Sequence, residues 1–259
     1  MAAFAQLAVV GRGSNTCVYV IAIFTMCEST EQHICIKFCF KDVQFLKNIV
    51  TGDESWVYGY DPETKQQSSQ WKCPMSPRPK KGHQVRSKTK VMLLAFFDSE
   101  CIVHHEYAPN GQTINKEFYV EVLWRLRESR HWKRLEKWRD GDWILHHDSA
   151  PAHTSHLVQQ FLAKHGTAQL QQLPYSPDLA PCDFFLFPRL KKVLKGHRFE
   201  ATEDIKQNST KTLLDIPKEE FAKCFQQWQQ GWTKCVAVTV QFKCPLWNSV
   251  APFGWQGCA

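Results

Sequence analysis

The sequence predicts one α/β domain built on a mixed sheet, and three observations point to it. From residue 43 onward, runs with the two-residue apolar period of strands alternate with runs that follow the 3.6-residue period of helices. Two strand-like runs, Lys90–Phe97 and Cys101–Tyr107, flank the turn-forming Asp98-Ser-Glu100, which marks a hairpin. The chain has 259 residues, enough for one substantial core with appendages.

Taken in order, Asn48–Tyr60 reads as the first strand. Asp61–Thr89 is polar and punctuated by Pro74, Pro77 and Pro79; it is too long for an ordinary connection and reads as a functional arm. The hairpin follows. Asn115–Trp138 shows helical recurrence through Phe118, Val122, Leu126 and Leu135. Trp143–Asp148 is a strand, and Thr154 or Ser155 caps a helix to Lys164 that Gly166 closes. Ala168–Leu173 is the last strand. Phe184–Leu194 reads as a helix kinked by Pro188. Thr202 is expected to cap a helix to Leu214, and Ile216-Pro217 to open a final one ending near Lys234. Beyond Val236 no period is visible, and there is no internal repeat. This order is the layout of a ribonuclease-H-like fold, a mixed central sheet flanked by helices with further helices at the C-terminus. The expected organisation is a divergent N-terminal segment over 1–42, the ribonuclease-H-like catalytic domain over 43–235, and a divergent tail over 236–259.

A net charge of +7 suits an anionic partner without identifying one. The eleven cysteines contain no Cys-x-x-Cys pair, and Cys35 and Cys39 have no second pair at zinc-finger spacing. Reduced thiols in an intracellular protein are expected. The apolar run Cys17–Cys27 is 11 residues long. A bilayer span needs about 20, so no membrane association is expected. The cleavage-site pattern is poor, and secretion is not expected either.

Three carboxylates stand in unusual places. Asp53 lies within a strand, Asp148 ends the apolar run from Trp143, and Asp183 opens a helix, with 34 residues between the last two. Strands disfavour Asp, so something should compensate it. If the three converge, their repulsion calls for a cation, and Mg2+ is the natural one because it takes hard oxygen ligands and keeps waters for chemistry. The pattern points to metal-dependent phosphodiester chemistry. Asp178 is a rival third carboxylate, but Pro177 before it makes a turn role the better reading. His146, His147 and His153 suggest zinc only superficially, since strand alternation puts the first two on opposite faces. Packing or substrate-side roles are expected for them, and Glu54 is expected to face away from Asp53. On the arm, Arg78, Lys80, Lys81, Arg86, Lys88 and Lys90 are candidates to contact DNA phosphates. Lys133, Arg134, Lys137 and Arg139 read as a solvated helix face.

Five segments carry a family resemblance: Thr51-Gly-Asp-Glu-Ser-Trp56, Asp61-Pro-Glu-Thr-Lys65, Ser76-Pro-Arg-Pro-Lys-Lys81, His146-His-Asp-Ser-Ala-Pro-Ala-His153 and Tyr175-Ser-Pro-Asp-Leu-Ala-Pro-Cys-Asp-Phe184. In these, over about 43–235, the chain resembles the mariner-family DNA transposases, whose signature is three Asp with 34 residues between the last two. The resemblance implies cut-and-paste DNA transposition in the nucleus. Asp53, Asp148 and Asp183 would be the catalytic triad holding two Mg2+ or Mn2+ ions, with Asp53 bridging both. Double-stranded DNA would be the substrate, and the loop after the first strand would contact DNA and the second subunit of a homodimer. Three departures accompany it. About forty residues precede the matching region that begins near residue 43, where the family carries two helix-turn-helix modules, so recognition of specific terminal repeats is expected to be lost. Ser149 stands where the family usually has Asn, and the sequence from Val236 leaves the family pattern. The alternative is a transposon-derived protein that binds DNA or a partner without productive catalysis.

Overall fold

The computed structural model describes residues 43–69, 71, 73, 75–77, 84–133, 143–172 and 176–242. Gln44–Gln226 packs as one compact unit, and the described residues from Gln227 onward belong to a second. Every strand lies in the first. A short helix α1 (Val43–Lys47) leads into β1 (Ile49–Tyr58), followed by β2 (Lys90–Phe97), β3 (Ile102–Tyr107), α2 (Lys116–Lys133), β4 (Ile144–His147), α3 (His156–Lys164) and β5 (Ala168–Gln171). A 3-10 turn (Pro177–Leu179) and a π-helical turn (Cys182–Leu186) then lead into α4 (Phe187–Leu194), α5 (Thr202–Leu214) and α6 (Lys218–Phe242).

The sheet order is β3-β2-β1-β4-β5. β1 and β2 pair antiparallel, as do β2 and β3. β1 and β4, and then β4 and β5, pair parallel. This is the mixed sheet and hairpin that the sequence predicts. All four residues of β4 are buried, as expected of a parallel strand covered on both faces. One face carries Val50, Leu94, Phe96 and Leu145 against Tyr119, Val122, Leu123 and Leu126 of α2 and Val158 and Leu162 of α3. On the other, Phe97 meets Phe185, Phe221 and Phe225 from the C-terminal helices. The side-chain alternation of β1 therefore sends Thr51, Asp53 and Ser55 to the C-terminal-helix face and Gly52 and Glu54 to the α2 face.

Several expectations shift at element ends. The helix read as running to Trp138 is described as far as Lys133, and 134–142 lie outside the described residues. Asn115 Oδ1 accepts the Phe118 N–H at 2.9 Å and starts that helix as an N-cap should. Ser155 occupies the N-cap of α3, but its hydroxyl bonds Ala152 O rather than an orphan N–H. Gly166, at φ +61°, takes the left-handed conformation that ends α3. Thr202 does not cap α5. Ala201 does, and the Asp204 carboxylate accepts the Ala201 N–H at 3.2 Å. Pro188 does not kink a single helix. Its ring clashes with the carbonyl four residues back, and the backbone answers with the π turn just ahead of α4. The last helix runs past Lys234 to Phe242, into the sequence where no period was legible. Among the described residues no helix is long and apolar enough to cross a membrane, and the run Cys17–Cys27 lies outside them. Cys73, Cys101, Cys182, Cys224 and Cys235 are free thiols.

Candidate active site

The parallel register of β1 and β4 sets the site. Thr51 pairs with His146, and Thr51 Oγ1 and His146 Nδ1 are 2.8 Å apart. Two residues further along each chain stand Asp53 and Asp148, so one register brings both carboxylates to the same end of the sheet. Asp183 arrives from the π turn, which packs on β1. Neighbouring Cys182 is buried there, and its thiol bonds Thr51.

The three carboxylates influence one another's ionisation. Burial first, then the charges of Glu54, Asp183 and Asp148, push the Asp53 carboxyl up to about 8, although the Glu54 N–H opposes the shift. Burial likewise raises Asp183, with Asp148 adding to the rise and Lys191 opposing it. Asp148 shifts the other way. Burial would raise it, but the His153 hydrogen bond and charge and the Ala150 N–H hold it below the ordinary carboxylate range.

His153 is the residue that sequence reasoning placed only as packing or substrate-side. It is buried, with Nδ1 2.5 Å from Asp148 Oδ1 and Nε2 3.0 Å from Glu54 Oε1. Burial opposes its charge, yet the two carboxylates outweigh burial and push it up to about 9. Its ring stacks on Tyr119 at 3.9 Å between centroids. No sequence signal marks this bridge, because Glu54 and His153 are 99 positions apart. The zinc reading of the histidines finds no support. His146 and His147 face opposite sides of the sheet, the second bonding Tyr119 Oη at 2.7 Å and Gln169 Nε2 at 2.6 Å. Burial drives both imidazoles down to about 3, so they are neutral. Asp178 lies exposed in the 3-10 turn, as its turn context predicts.

The triad suits a hard cation in its donor chemistry. Asp53 Oδ1 accepts the Glu54 N–H at 2.7 Å, and Asp148 Oδ1 takes both His153 and the Ala150 N–H. Each carboxylate thus has one oxygen tied to the protein and Oδ2 uncommitted, while neither Asp183 oxygen is hydrogen-bonded among the described residues. A set of carboxylates only partly balanced by His153, one of them pushed to about 8, is the environment a divalent ion relieves. Among the described residues no three His, Cys, Asp or Glu side chains form a ready-made ligand cage.

A family model described as "Transposase (partial DDE domain)" matches residues 61–140. The Mariner Mos1 transposase of Drosophila mauritiana is 31% identical over 199 residues, which cover 76% of this chain and 57% of that protein. The chain is a relative of the mariner transposases. The solved catalytic domain of Mos1 mariner transposase superposes with a TM-score of 0.65 at 27% identity, covering 81% of this chain and 90% of that one. The Mos1 paired-end complex with Mn gives 0.72 at 26% identity, covering 91% and 67%. The fold is ribonuclease-H-like. This chain spans little more than half the length of its curated Mos1 relative.

Of the six basic residues expected at DNA, Arg78, Lys80 and Lys81 lie outside the described residues. Arg86 bonds Asp61 at 2.9 Å and sits 4.5 Å from the centre of the Tyr58 ring. Lys90 lies 3.9 Å from the centre of the Trp56 ring, and Lys88 is exposed. In the second basic cluster Lys133 donates to Ile102 O at 2.9 Å, and Arg134, Lys137 and Arg139 lie outside the described residues.

Proposed function

We propose that this chain is a metal-dependent transposase core that cleaves double-stranded DNA and joins its 3′ ends to a target, the chemistry of cut-and-paste transposition. The observation that carries it is the meeting of Asp53, Asp148 and Asp183 at one sheet end, with carboxylate oxygens left over. These three would hold Mg2+ or Mn2+, two ions in all, Asp53 serving both. Metal bound there supplies Lewis acidity that activates the attacking water or 3′-hydroxyl and steadies the leaving oxygen. The protein's own part is positional. His153 fixes the Asp148 carboxylate by one oxygen, the Glu54 N–H fixes Asp53 in the same way, and the π turn presents Asp183.

Arg86, Lys88 and Lys90, with Arg78, Lys80 and Lys81 on the same arm, would neutralise backbone phosphates, contacts that carry no sequence information. The same arm, with Trp71 and Met75 fully exposed, would also meet the second subunit of a homodimer, and a protein acting on chromosomal DNA would work in the nucleus.

Purified protein is expected to nick supercoiled plasmid in Mg2+ and in Mn2+, and Asp148→Ala to lose at least a hundredfold of that activity, about 2.7 kcal/mol of barrier. Folded, monodisperse protein that leaves plasmid intact in both metals would instead favour a product that binds DNA or a partner without chemistry.

A further inference from the structure

Lys191 is an ammonium without a counterion beside the carboxylates. It is half-buried on α4, and its Nζ donates to Ser55 Oγ at 2.7 Å. Ser55 lies two residues beyond Asp53 on the same face of β1, so the lysine reaches to the edge of the triad. The approach depends on the π turn. Lys191 lies eight positions after Asp183, and in a straight α-helix that offset leaves side chains roughly 80° apart. The wider turn over Cys182–Leu186 absorbs one residue, so the offset acts as seven and both side chains share a face. The mutual influence of the two charges agrees: Lys191 opposes the rise of Asp183.

No carboxylate stands within ion-pair distance of Lys191 among the described residues. The nearby Asp61 is engaged elsewhere, with Arg86 at 2.9 Å and Lys195 at 4.0 Å. Burial and the Arg86 charge depress the Lys191 ammonium, against the pull of Asp61 and Asp183. A half-buried cation held only by a neutral hydroxyl carries an uncompensated desolvation cost. An arriving anion would remove that cost.

We propose that Lys191, held by Ser55, binds a backbone phosphate of the DNA strand that enters the carboxylate site. This deepens the DNA-cleaving reading given above and rests on it. The phosphate next to the reacting one would be gripped by Lys191, with Arg86 and Lys195 nearby.

The test is the salt dependence of duplex binding, measured by fluorescence anisotropy on a labelled DNA duplex in metal-free buffer. Lys191→Met keeps an unbranched apolar stem while removing the ammonium that lies 5.7 Å from the centre of the Phe187 ring, and Lys191→Gln serves if that variant does not fold. Either is expected to lower the slope of log affinity against log salt by about 0.9, the loss of one phosphate contact. Lys191→Arg, and Lys211→Gln on the exposed side of α5, are expected to keep the parent slope. An unchanged slope in the Lys191 variants, or an equal drop in Lys211→Gln, would overturn the proposal. Plasmid nicking by the parent alongside an unchanged slope would overturn Lys191 while leaving the cleavage reading intact. A reduced slope in a protein that never nicks would uphold the phosphate contact and sink cleavage.

Discussion

Asp53→Asn is expected to be more stable than the parent at pH 8 without divalent metal, by on the order of 2 kcal/mol. The Asp53 carboxyl is held near 8 in the fold against 3.8 as a free side chain, so the folded state keeps a proton that the unfolded chain releases. The sign follows from that difference. Its favourable contribution is full below about pH 4 and is lost as pH rises towards 8. Asn never ionises and escapes the loss. If the proposed site holds metal, millimolar Mg2+ or Mn2+ is expected to reverse the ranking, because only the parent has the Asp53 carboxylate that would hold it. At a metal concentration of 100 times Kd the parent gains about 2.7 kcal/mol. Metal and proton compete for Asp53, so the parent's apparent metal affinity is expected to rise about tenfold per pH unit below 8 and to level off above it. Thermal melts at pH 6, 7 and 8, with and without metal, check both parts. A metal-free Asn variant that melts below the parent at pH 8 would show that Asp53 is not under electrostatic strain.

Gly52→Ala is expected to destabilise the protein by about 3 kcal/mol, the upper end of overpacking costs. Gly52 pairs across the β1–β2 ladder with Phe96. A methyl group at Gly52 would stand less than 3.0 Å from Cδ1, Cε1 and Cγ of that ring. Phe96 is 1% exposed and wedged among core side chains, so it cannot yield. The glycine is therefore present because a ring lies flat on the strand, one residue from the triad. Urea unfolding should show the loss, and Phe96→Leu should recover part of it in the Gly52→Ala background while costing stability alone. A Gly52→Ala protein as stable as the parent would mean the two strands are not packed so closely.

The fold was legible where one physical signal dominated. Hydrophobic period found every strand, because a sheet covered on both faces leaves runs such as Leu93–Phe97 no freedom to be polar. The hairpin followed from Asp98, whose Oδ1 accepts the Glu100 and Cys101 N–H groups at 2.8 and 2.9 Å. Helix ends were harder. Thr202 looked like a cap, but Ala201 took the position because Asp204 reaches back to its N–H, a choice between two adequate local solutions. The π turn was invisible, since it arises from Pro188 acting on residues ahead of it. At the site, the three Asp stood out because Asp is rare at a strand's centre or end. The links that orient them did not. Glu54 with His153, and Ser55 with Lys191, join residues 99 and 136 positions apart that are individually ordinary. Only the parallel register of β1 with β4, and the extra residue in the π turn, make them neighbours.

The proposed chemistry requires Asp53, Asp148 and Asp183 to form one divalent-metal site. Titration of Mn2+ into the folded protein, followed by the loss of free-ion electron paramagnetic resonance, tests it directly. Asp53→Asn, Asp148→Asn and Asp183→Asn are each expected to weaken Mn2+ binding at least tenfold, about 1.4 kcal/mol, with Asp53→Asn removing the most. Binding that is absent from the parent, or unaltered in any one of the three variants, would contradict it.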